Sequence, residues 1–113
     1  MNLAAILFAI AAITGIALAL IRLSGREIPP LWLALLHGAF AASGLVSLGI
    51  AAFTGSAPQW ARLSLLIFVV AALGGFALFS FHLRRRALPV PLMAIHAVVA
   101  VVAFAILVIN LLG

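Results

Sequence analysis

The sequence predicts an all-α integral membrane protein: a four-transmembrane-helix bundle built as two tandem helical hairpins. Three observations predict it. Hydrophobic residues make up 69% of the chain and charged residues only 6%, with a mean hydropathy of +1.51. A soluble domain carries about 25% charged residues, so this chain cannot cover a water-facing surface. The apolar residues fall into four long runs divided by short polar turns, and a scarce proline–histidine pattern occurs once in each half.

The runs cover residues 3–23, 31–53, 60–81 and 90–112. Each has the roughly 20 residues needed to cross a bilayer as a helix. None shows the ten-residue alternation of a barrel strand. The first run has no basic segment before it and exceeds the 7–15 apolar residues usual in a signal peptide, so it is expected to be a retained span. Residues 1–113 then form a single membrane domain.

The turns between runs are Arg22 to Pro30, Thr54 to Gln59 and His82 to Pro89. Prolines close one helix and open the next, and turns this short force neighbouring helices to run antiparallel. The only charged residues are Arg22, Arg26, Glu27, Arg62, Arg84, Arg85 and Arg86. Five arginines belong to the first and third connections, and only Arg62 lies beside the second. The positive-inside rule therefore places connections one and three in the cytoplasm and both termini outside. The formal charge of +5 serves topology and the lipid bilayer's anionic headgroups, and no nucleic-acid partner is expected. Trp32 and Trp60 fall at opposite interfaces, where indoles anchor spans. Absence of cysteine excludes disulfides, thiolate metal sites, iron–sulfur clusters and covalent c-type haem.

A shift of 59 residues superposes the halves without a gap. It aligns Gly15 with Gly74, Arg26 with Arg85, Pro30 with Pro89, His37 with His96, and Ala41 with Ala100. Coincidence of arginine, proline and histidine, all scarce here, points to an internal duplication whose repeats share one orientation. Ala11-x-x-x-Gly15-x-x-x-Ala19 and Ala71-x-x-x-Gly75 read as close helix packing in lipid.

His37 and His96 each lie seven residues after a helix-opening proline, about 10 Å along the helix. An ionisable side chain at that depth marks a functional site by default. The same offsets around each histidine carry small or flexible residues: Ala34, Ala41 and Gly44 in one half, Met93, Ala100 and Ala103 in the other. That leaves room for a flat ligand. Two neutral imidazoles facing each other across a bundle are a natural axial pair for the iron of haem b. Arg22, Arg26 and Arg84 to Arg86, with Arg26 and Arg85 as repeat-related partners, are placed to pair with its propionates. The alternative use of each histidine is a hydrogen bond to a neighbouring helix's carbonyl. A bare copper or zinc ion would find only Met93 as a further ligand. His82 is expected to be an interfacial residue.

Four spans and two opposed histidines resemble the small four-helix b-type cytochromes and the haem-carrying membrane anchor subunits of bacterial respiratory enzymes. That resemblance implies one-electron transfer with no catalytic activity of the polypeptide's own, in a bacterial-type inner (plasma) membrane. With three histidines, a second bis-histidine haem would lack a ligand. A non-catalytic accessory subunit packed against a larger membrane complex is the competing reading. Small multidrug transporters share the length, but they need a membrane-embedded glutamate, and Glu27 lies in a turn. The polar pore residues and glycine–arginine signature of four-span fluoride channels are not found here.

Overall fold

The computed structural model describes residues 1–54 and 57–113 and contains four helices: α1 (Asn2–Leu23), α2 (Leu31–Ala52), α3 (Gln59–Leu83) and α4 (Val90–Leu112). Each is long and apolar enough to cross a membrane. The expected runs match them to within two residues at every end. Gly55 and Ser56, part of the expected second turn, lie outside the described residues.

Proline sets the helix starts. Pro30, Pro58 and Pro89 occupy the N-cap positions of α2, α3 and α4 with φ of −57°, −67° and −66°, where the missing N–H costs nothing. The ends of α1 and α3 are closed by a left-handed residue, Gly25 (φ 113°) and Arg85 (φ 54°) respectively. At α3 this closure is a full Schellman motif: Arg85 N–H donates to His82 O (3.1 Å) and Arg86 N–H to Phe81 O (2.9 Å).

The bundle measures 45 × 22 × 19 Å. α1 packs chiefly on α2 and α3 on α4, with smaller α2–α3 and α1–α4 seams, so α1/α3 and α2/α4 face each other as diagonals. One half of the interior is filled by Ala4, Phe8, Leu48, Phe68, Ala103 and Leu107. Phe8 and Phe68 stack across the α1/α3 diagonal with centroids 3.7 Å apart and planes within 3°. Gly44 admits this stack, because a Cβ there would lie 2.9 Å from the Phe8 ring. At the arginine-rich end the first and third connections touch. Leu88 N–H donates to Glu27 O (3.1 Å), and Arg22 Nε–H donates to Leu88 O (2.9 Å). The outer surface is apolar: Ile13, Leu20, Val46, Leu73 and Val98 are all exposed.

The halves correspond, but not with one shift. α2 and α4 match at 59 residues: His37 with His96, and the buried Leu48 with Leu107. α1 and α3 match at 60: buried Phe8 with Phe68, Ala11 with Ala71, and helix-ending Gly25 with Arg85. The gap-free pairing of Gly15 with Gly74 and Arg26 with Arg85 is thereby corrected. Gly15 corresponds to Gly75, because the connection after α1 is one residue longer than that after α3.

Candidate functional site: a histidine pair across the core

Both histidines point inward from α2 and α4 about two turns above the phenylalanine stack. Their ring centroids are 6.2 Å apart and their planes cross at 83°. Each ring also reaches the other helix of its own hairpin. His37 Nδ1 lies 2.7 Å from Ala11 O on α1, and His96 Nδ1 lies 2.7 Å from Ala71 O on α3. A carbonyl oxygen only accepts, so the proton of each neutral imidazole sits on Nδ1 and donates to it. Each Nε2 then carries a lone pair, and among the described residues neither Nε2 meets a hydrogen-bond donor.

Glycine makes this reach feasible. Ala11 O and Ala71 O belong to helical turns whose next residue on the same face is Gly15 or Gly75. A Cβ at Gly15 would stand 2.9 Å from His37 Cε1, and one at Gly75 would stand 3.2 Å from His96 Cε1. Ala-x-x-x-Gly, read from sequence as a helix-packing motif, is the seat of the imidazole. The signal for it was present: a shift of 60 brings Phe8, Ala11, Gly15 and Leu18 onto Phe68, Ala71, Gly75 and Leu78.

The seats differ in one polar group. Thr14 Oγ1 is 3.3 Å from His37 Nδ1 and also lies 2.9 Å from Ala11 O and 3.1 Å from Ile10 O, so the Nδ1 proton of His37 has two acceptors nearby. Gly74 takes the corresponding position beside His96.

Of the expected site residues, the structure brings His37 and His96 together. Arg26 and Arg85 stay exposed at the rim; the Nε–H of Arg26 donates to Ile28 O (3.1 Å). From Gly75, at the level of the rings, to Arg85 is about 15 Å along α3. His82, expected at an interface, has both ring nitrogens buried and, among the described residues, without a hydrogen-bond partner, and it stacks on Phe79. Among the described residues no group of three or more histidine, cysteine, aspartate or glutamate side chains comes together.

Two neutral imidazoles are a donor type that one metal ion accepts, and their rings lie within 6.2 Å of each other, centroid to centroid. An outward Nδ1–H held by a carbonyl is the usual support of a metal-ligating imidazole. Comparison with family models, curated proteins and solved structures finds no match to this chain.

Proposed function

We propose that the chain spans a bilayer four times and that His37 and His96 hold the iron of one haem b between α2 and α4, in an electron-transfer or membrane-anchor subunit. The observation that carries this reading is the pair of Nδ1–H···O=C bonds, which leaves two Nε2 lone pairs at one depth of an apolar core. When bound, the haem supplies a one-electron couple. The protein's part is to fix both tautomers and to hold each ring from the other helix of its own hairpin, with the Phe8–Phe68 stack filling the core below. Arg26 and Arg85, exposed at the rim, would supply positive charge for the haem propionates.

The orientation follows from the same arginine asymmetry: the arginine-rich end faces the cytoplasm of a bacterial-type inner membrane, and both termini face outward. A reporter active only in the cytoplasm, fused after Gly113, stays silent under this orientation, and its activity would reverse the topology.

A second reading has its own observation. Each ring already fills the space above its glycine, so the pair also works as two hairpin locks with no cofactor, as suits an accessory subunit. An absorption spectrum separates the two. Protein produced with haem supplied and purified in mild detergent should show a low-spin Soret band. His37→Ala and His96→Ala should each abolish it or leave weakly held five-coordinate haem, and His82→Ala should keep it. Wild-type protein that is folded by circular dichroism yet has no Soret band sinks the haem reading and leaves the lock.

A further inference from the structure

Both hairpins end their first helices on a positive-φ residue that donates to the carbonyl three residues back, Gly25 (φ 113°) in one and Arg85 (φ 54°) in the other. Glycine is the residue this backbone favours, since any Cβ is crowded there. An arginine in its place, in the turn whose repeat partner shows that glycine fits, marks a side chain kept for a purpose other than folding.

A second observation says what that purpose is. Arg22, Arg26 and Arg84 share this end with Arg85 and Arg86, and each of the first three is tethered through Nε–H to a backbone carbonyl: Leu88 O (2.9 Å), Ile28 O (3.1 Å) and Ser80 O (3.3 Å). A guanidinium held by its Nε keeps its terminal NH2 groups in a fixed fork, the geometry that matches a phosphate. Arg84 spends one of them on Ser80 Oγ (3.2 Å) and lies over the Phe81 ring. The whole chain has one acidic side chain, Glu27, so these arginines have almost no carboxylate to pair with.

We infer that the arginine-rich end is a phosphate site for an anionic phospholipid headgroup, and that Arg85 is held in the left-handed turn to complete it. The inference rests on the bilayer reading above. Arg85 is exposed beyond the last turn of α3, at the level where a spanning helix meets headgroups, which favours the lipid over a free anion.

Nanodiscs of phosphatidylcholine, alone or mixed with phosphatidylglycerol, provide the test, with the unfolding temperature as the readout. The native chain should melt higher with phosphatidylglycerol. Arg85→Gly should lose at least half of that gain, yet melt no lower than the native chain in pure phosphatidylcholine. Arg85→Lys, which keeps the charge and the strained backbone, should retain part of the gain. A full gain in Arg85→Gly, or none in the native chain, overturns the site. A clearly lower melt of Arg85→Gly in pure phosphatidylcholine overturns the argument from the turn. An equal gain from inorganic phosphate in phosphatidylcholine discs assigns the arginines to a free anion and overturns the lipid. A chain that does not enter nanodiscs removes the bilayer reading and this inference with it, whereas a missing Soret band leaves both standing.

Discussion

The α1–α2 and α3–α4 hairpins carry the same skeleton at a few shared positions and differ in sequence at most others. Both set a histidine on an Ala-x-x-x-Gly seat, both contribute one phenylalanine to the central stack, and both open their second helix on a proline. The differences sort by depth. In the core, Ala4 is replaced by Ser64, whose buried Oγ–H donates to Ala103 O (2.9 Å), a bond worth about 0.6 kcal/mol on the average measured in a membrane protein. Beside the rings, Thr14 is replaced by Gly74. At the rim, Arg22 gives way to His82 and Gly25 to Arg85. The shared residues are those whose shape the packing of two hairpins demands. Among the positions that differ, these few change polarity: one in the buried core, one beside the rings and two at the arginine-rich rim.

The largest effect is expected from filling the seats, and the two halves should answer unequally. Gly15→Ala puts a methyl 2.9 Å from His37 Cε1, closer than carbon atoms tolerate. The ring must leave Ala11 O or α1 must withdraw from α2, a loss of about 1–3 kcal/mol as for other overpacked interiors. Gly75→Ala meets His96 Cε1 at 3.2 Å and should cost less, and Gly74→Ala makes only ordinary contact at 3.5 Å. That last change should be neutral or stabilise by up to about 1 kcal/mol through helix propensity. Unfolding temperatures of the three variants in one detergent test the order. If Gly74→Ala proves the most damaging, the 60-residue register of α1 on α3 is wrong.

Much of this skeleton was legible beforehand. Apolar runs broken by short turns rich in proline, arginine and glycine located four helices, because such turns are scarce in so apolar a chain. Pro30, His37, Pro89 and His96 announced the pairing of α2 with α4, since each residue type is scarce enough for recurrence to mean something. Those same residues hid the register of the other helices. They all lie on the 59-residue side of the repeat, so they drew Gly15 onto Gly74 and away from Gly75, and the imidazole seat passed for ordinary packing. Arg85 shows another limit. The Arg84 to Arg86 run displays charge, but the backbone angle that sets the middle arginine apart comes from the Schellman closure of α3.

The smallest effect should come from making the two seats alike. Thr14→Val removes the hydroxyl 3.3 Å from His37 Nδ1 and leaves Ala11 O as its one acceptor, as Ala71 O is for His96. The hydroxyl's other bonds are to carbonyls of its own helix, Ile10 O and Ala11 O, which keep their backbone partners without it. The loss in stability should therefore stay at or below about 0.6 kcal/mol, the average worth of such a bond in a membrane protein. The change should show in the rings themselves. With labelled histidine, the Nδ1 and Nε2 nitrogen resonances of His37 should move toward those of His96, both rings remaining protonated on Nδ1. Two sets of resonances as far apart in Thr14→Val as in the native chain would mean that Thr14 does not distinguish the histidines, and that any difference between them comes from beyond their seats.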